Sequence, residues 1–135
     1  MDLKEVYEKE SRLAELTEVE EDFYERAQRH VAQLREGRDQ IDDEYSEEAQ
    51  RADSKLSNAK LYLDRIRAAR QQKINRAVFT PGKPPRKVVR NLTCSEEEYV
   101  DALIQADKEL RSVSIGEGLG EPVSKEEENE QEVSL

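Results

Sequence analysis

The sequence predicts an all-α protein: a bundle of about four helices around one long central helix, followed by a disordered acidic C-terminal tail. Three observations lead there. Up to Thr80 the chain has one glycine, Gly37, and no proline, whereas a β-rich fold needs turn residues far more often. Apolar residues recur at three- and four-residue spacings, the period of one helix face. Only 35% of the 135 residues are hydrophobic and 40% are charged, against roughly 45–50% and about 25% in an ordinary globular domain. That is too little apolar material for a thick core. Residues 1–112 are expected to form the helical domain and residues 113–135 a flexible acidic linker or tail.

The first helix is expected from Asp2 to about Glu10, where Leu3, Val6 and Tyr7 form a short amphipathic face and Asp2 and Glu5 suit the positive end of the helix dipole. A helix this short is unstable alone and must dock. Leu13 and Leu16 anchor a connecting stretch. Thr17 and Glu20 fit a capping box, opening a second helix whose stripe is Val19, Phe23, Ala27, Val31 and Leu34 and whose end is Gly37. Arg38 to Tyr45 reads as a helix–helix connection or a frayed continuation of the second helix.

Ser46 caps the longest helix. Ala49, Ala52, Leu56, Ala59, Leu63 and Ile66 repeat at 3, 4, 3, 4, 3, a heptad seam with small residues in it. Beyond Ile66 the heptad is expected to fail, because Arg70 and Lys73 take the next seam positions. The stripe then passes to Ala69, Ile74, Ala77, Val78 and Phe79, and Leu61 and Tyr62 add a second apolar flank. A helix apolar on two flanks has more than one partner, within the protomer or across a subunit interface. Thr80-Pro81-Gly82-Lys83-Pro84-Pro85 ends it. Thr93 or Ser95 caps a fourth helix with apolar residues Tyr99, Val100, Leu103, Ala106 and Leu110. Glycines and an acidic run after Ile115 read as linker followed by disorder.

Charge is segregated. Residues 1–50 hold 7 basic and 17 acidic residues, residues 51–93 hold 12 and 2, and residues 94–135 hold 3 and 13. The net charge of −10 therefore says little about partners. The basic middle pairs with its acidic neighbours or another subunit, or it tracks phosphates. Arg65, Arg67, Arg70, Lys73, Arg76, Lys83, Arg86, Lys87 and Arg90 follow one another with no acid between them, and nucleic-acid contact is assigned to Arg67, Arg70, Lys73, Arg76, Lys83, Arg86 and Lys87. Few aromatics interleave to stack bases.

No residue set supports catalysis. His30 is the single histidine, without partners for a triad or metal site. Cys94 opens a helix, where the dipole lowers a thiol pKa, yet no histidine lies near it in sequence. Gly82-Lys83 lacks the rest of a phosphate loop. Asp39, Asp42, Asp43 and Glu44 lack the spacing and central glycine of a calcium loop. Asn91-Leu92-Thr93 fits a sequon that matters only in a secreted chain. No cofactor and no metal are expected. No apolar run approaches the length of a membrane span, Met1-Asp2-Leu3-Lys4-Glu5 opens no signal peptide, and one cysteine permits no internal disulfide. A cytoplasmic location follows as the expectation.

The order of pieces resembles an archaeal GINS subunit of the type whose helical A domain comes first. The residues that carry the resemblance are Met1-Asp2-Leu3, Leu13-x-x-Leu16, Asp22-Phe23-Tyr24-Glu25, Asn58-Ala59-Lys60 leading to Leu63, Arg70-Gln71-Gln72-Lys73-Ile74-Asn75-Arg76-Ala77, and Leu92-Thr93 followed by Glu96-Glu97-Glu98-Tyr99. It covers about Asp2 to Arg111. It implies a non-catalytic subunit of a homo- or hetero-tetramer in DNA replication, joining the MCM helicase to a RecJ-like partner. Leu56, Leu63, Ile66 and Ile74 are then expected at the subunit interface, with Phe23 and Tyr24 as intrasubunit anchors. Two features depart from the pattern. Val19-Glu20-Glu21 stands where a proline is expected, and an acidic tail follows the fourth helix where a β-rich B domain is expected. The rival readings are an unrelated coiled-coil adaptor and a nucleic-acid-binding helical module using residues 65–90.

Overall fold

In the computed structural model, which describes residues 1–87 and 89–115, the chain forms four helices in the order α1 (Leu3–Arg12), α2 (Phe23–Asp39), α3 (Glu47–Val78) and α4 (Cys94–Ile115). The fold is all-α. α3 is the axis: at 1.5 Å per residue its 32 residues span about 48 Å, and both α1 and α2 pack along it. The acidic tail expected after residue 115 lies outside the described residues, and α4 runs three residues past the boundary expected at 112.

Local chemistry explains where most helices begin. Asp2 caps α1 by accepting the Glu5 backbone N–H at 3.1 Å, and Ser46 caps α3 by accepting that of Ala49 at 3.1 Å. Thr93 and Glu96 form a reciprocal capping box on α4. The Glu96 N–H donates to Thr93 Oγ1 at 3.1 Å and the Thr93 N–H to Glu96 Oε1 at 3.0 Å. After α3, Pro81 and Gly82 turn the chain. Gly82 has φ +78°, and the Lys83 N–H closes the turn on the Thr80 carbonyl at 3.1 Å, the left-handed third position of a type II turn.

Two expectations about α2 fail. Thr17 is not its cap; α2 starts six residues later at Phe23, because the Thr17 hydroxyl is engaged by Glu10 at 2.7 Å. Gly37 does not end it; of the two readings of Arg38 to Tyr45, the continuation holds as far as Asp39. The Gln40 N–H still reaches the Glu36 carbonyl at 3.1 Å, and Arg38 clamps the last turn to Asp39 and to Asp53 of α3. That clamp holds the helix for two residues past the glycine.

The core has two parts strung along α3. One gathers Leu3, Phe23, Ala27, Val31, Leu56, Ala59 and Ile66; the other gathers Leu16, Ile74, Val78 and Val100. Between them, at 0% exposure, sits Arg70. Past Ile66 the heptad gives way, as expected, to an inward row of Ile66, Arg70, Ile74 and Val78, one residue every four, in which Ile74 and Val78 were expected and Arg70 was not. Ala77 is exposed and Phe79 is 39% exposed, so the predicted later stripe is only half inside.

Ile66 is fully buried within the protomer. Ile66→Ala is expected to cost about 2–5 kcal/mol in urea unfolding, and Ile66→Asp to abolish the helical circular dichroism signal. A folded Ile66→Asp protein would show that this position faces outward.

Candidate functional site

The Arg70 guanidinium has five N–H donors, and each finds an acceptor. Nε donates to Glu96 Oε2 at 2.7 Å and Nη2 to Glu96 Oε1 at 2.8 Å, a bidentate pair. Nη2 also donates to the Asn91 carbonyl at 2.7 Å. Nη1 donates to Glu10 Oε1 at 2.8 Å and to the Thr17 carbonyl at 3.0 Å. The acceptors are equally occupied. Glu10 accepts from Arg70, from the Thr17 hydroxyl and N–H, and from Lys73 Nζ at 2.6 Å. Glu96 accepts twice from Arg70, once from the Thr93 N–H and once from the Tyr24 hydroxyl at 2.8 Å. Lys73 completes its valence on the carbonyls of Glu10 and Glu15. Two cations and two carboxylates balance.

This network binds the fold and leaves no free lone pair for chemistry. Burial works to raise the Glu10 carboxyl, but hydrogen bonds from Lys73, Thr17 and Arg70 outweigh it and hold it below its ordinary value. Burial likewise opposes ionisation of Glu96, and Arg70, the Thr93 N–H and Tyr24 outweigh it in the same way. The Tyr24 hydroxyl is pushed up by burial and by Glu96. Cys94 is exposed, and its thiol is raised by desolvation and by Glu21, Glu97, Glu25 and Asp22. That is the opposite of activation by a helix terminus. Desolvation and the N-terminal amine lower His30. Among the described residues no cluster has the make-up of a metal site.

An exposed apolar surface lies on α4. Its first turns are held firmly. The Cys94 N–H donates to the Glu21 carbonyl at 3.0 Å, Val100 is fully buried, and the Tyr99 hydroxyl donates to Asn75 Oδ1 at 2.9 Å and accepts from Gln71 at 3.0 Å. Beyond Ile104, every side-chain hydrogen bond and ion pair among the described residues stays within α4. Yet that half carries Ala106, Leu110 and Val113 in line with the half-buried Leu103 before it, with Leu110 66% and Val113 74% exposed. Their 3-4-3 spacing is the narrow seam of a helix that packs against another helix. Exposed apolar residues that share a stripe mark an interaction surface more than ones scattered singly do.

The predicted site residues fall in different places. Leu56, Ile66 and Ile74 are buried by the protomer's own helices, and Leu63 is half-buried against the same core. The three buried residues of the expected subunit interface are therefore taken up inside the protomer, Leu56 and Ile66 by α1 and α2 and Ile74 by Leu16 and Val100. Phe23 is in the core and Tyr24 at its edge. Arg70 and Lys73 are unavailable to nucleic acid, being buried and nearly buried on their carboxylates. Arg67 pairs with Asp64 at 3.0 Å and Lys87 with Asp101 at 3.2 Å. Arg76, Lys83 and Arg86 are exposed. Sequence reasoning missed the α4 seam by merging two faces. Val100 and Ile104 point inward, while the 3-4-3 series starts at half-buried Leu103 and is exposed at Ala106, Leu110 and Val113, and that series was the available signal.

No protein-family model, curated protein or solved structure matches the chain.

Removing Arg70 leaves two buried carboxylates without their main partner. Arg70→Met is expected to destabilise the fold by about 3–5 kcal/mol in denaturant titration. The two carboxyls titrate lower in the folded than in the unfolded chain, so the unfolded chain takes up more protons as pH falls. Their contribution is complete above the ordinary value of about 4.5 and lost as pH drops through the folded values. The midpoint of thermal unfolding should therefore fall steeply below that pH. In Arg70→Met this fall should be much shallower.

Proposed function

We propose that the chain is a non-catalytic scaffold subunit of the GINS type, assembling with like subunits and linking the MCM helicase to a RecJ-like partner at the replication fork. The observation that carries the reading is the apolar seam on α4 that starts at half-buried Leu103 and is uncovered at Ala106, Leu110 and Val113. It is a surface built for another helix and not for a substrate. The sequence resemblance names the kind of assembly. It also gains support from the way its scattered motifs meet: Tyr24, Arg70 and Glu96 belong to three of them and share one hydrogen-bond network. The subunit interface moves accordingly, from the central helix to α4.

The seam fits assembly energetics. Burying a leucine or valine side chain contributes about 1.5–3 kcal/mol, and each copy in a tetramer would bury several. A charge placed in it carries the desolvation cost without a partner.

Light scattering of the full chain, alone and with a second GINS subunit, is expected to give a tetramer. The double variant Leu110→Asp, Val113→Asp should give a monomer of unchanged helical circular dichroism, since both residues lie outside the core. A wild-type monomer in both settings would overturn the reading. A dimer without affinity for MCM would replace it with a coiled-coil adaptor.

A further inference from the structure

The connector between α3 and α4 carries a surface that the assembly reading leaves unused. Once Arg67, Arg70, Lys73 and Lys87 are paired internally, the basic middle of the chain still presents Arg76, Lys83, Arg86 and Arg90. All four are exposed, and none has an ion pair among the described residues. The fold draws them to one corner. Arg76 stands one helical turn before Phe79, and positions three apart share a face. The Pro81-Gly82 turn folds Lys83 back on Thr80. The Arg86 N–H donates to the Val78 carbonyl at 3.2 Å, pinning the connector beside the end of α3. Arg76 and Arg90 line one cavity of about 480 Å³, with Leu16, Ala77 and Asn91 among its walls. Glu15 is a carboxylate on that wall, and the ammonium of Lys73 there is saturated by Glu10 and the Glu15 carbonyl.

Phe79 gives this corner its chemistry. It caps α3 at 39% exposure, one of the chain's two phenylalanines, while the other, Phe23, is buried. An exposed aromatic among unpaired cations is the pairing that binds unstacked bases and their phosphates: the ring supplies a stacking face that any base accepts, and the cations track the backbone. An acidic protein surface would use the charges but not the ring.

We propose that this corner binds single-stranded nucleic acid, with Phe79 as the stacking platform and Arg76, Lys83, Arg86 and Arg90 as phosphate contacts. The proposal does not depend on the GINS reading, since it uses a different face from the α4 seam.

The test is fluorescence anisotropy of a labelled oligothymidylate with the full chain over a salt series. The wild type is expected to bind, with affinity falling linearly on a log–log plot against salt. The triple variant Arg76→Glu, Arg86→Glu, Arg90→Glu should lose binding, or flatten that slope by about 0.7 per contact removed. Phe79→Ala should weaken binding roughly fivefold or more with the slope kept. Arg35→Glu, an exposed change on α2, should leave binding as it is. All these residues are exposed or nearly so, and circular dichroism verifies that each variant is folded. Absence of binding at low salt would overturn the proposal, as would full affinity in the triple variant or in Phe79→Ala, or equal affinity for a duplex. Loss of self-association in the triple variant without oligonucleotide binding would assign the corner to an acidic protein surface instead.

Discussion

A guanidinium with no access to water sits midway along the longest helix, and the rest of the molecule is arranged to tolerate it. Withdrawing a charge from water costs several kcal/mol even after relaxation. Arg70 meets that cost because each of its donors is matched, by carboxylates from α1 and α4 and by carbonyls from the two connectors. Few apolar side chains are available to do this work. Eleven buried hydrophobic residues are shared between two separate clusters among the described residues, and Arg70 lies at the gap between them. α1, too short to persist alone, is held by Leu3 at one end and Glu10 at the other. The polar network thus joins elements that hydrophobic contact alone holds weakly.

The same arrangement divides the chain's segregated charge. Part of the basic middle does pair with acidic neighbours: Arg70 with Glu10 and Glu96, Lys73 with Glu10, Lys87 with Asp101. The remainder faces solvent at the corner after α3. Internal pairing and outward display, alternatives when only the sequence is considered, apply to different residues of one run. Helical phase separates them. Arg70 shares the inward row with Ile66 and Ile74, whereas Arg76 lies six residues on, rotated well off that row.

Elements whose signals are local were legible in the sequence. Ser46, the Glu96 first turn after Thr93, and Pro81-Gly82 each act within three or four residues, and each marks a boundary where expected. The errors fall where a distant partner decides. Thr17 and Glu20 satisfy the spacing of a capping box, but Glu10 takes the Thr17 hydroxyl because α1 folds back on it. Arg70 reads as a break in an apolar seam, since its carboxylates lie 60 residues before it and 26 after. The seam on α4 was in view as a set of apolar residues. What was hidden was that cover fades along the set, from buried Val100 and half-buried Tyr99 and Leu103 to exposed Ala106 and Leu110, a fact about the reach of the rest of the fold.

Glu96 ties these points together. It is the third residue of α4's first turn, the acceptor of the Thr93 N–H, and the bidentate partner of Arg70. The start of α4 and its placement against α3 are therefore fixed by one carboxylate. A purely apolar row of four at Ile66, position 70, Ile74 and Val78 would bury comparable surface, and replacing buried ion pairs by apolar residues is often neutral or better for stability. Such a row would let α4 settle a turn higher or lower at little cost, because apolar contact is non-directional. A bidentate guanidinium–carboxylate pair admits one geometry. Fixing α4 at its first turn also fixes the direction in which its unsupported half leaves the bundle, and with it the face on which Leu103, Ala106, Leu110 and Val113 are offered. A helix anchored only at one end needs that anchor to be directional, which gives a physical reason to place a costly buried charge where a leucine would fit.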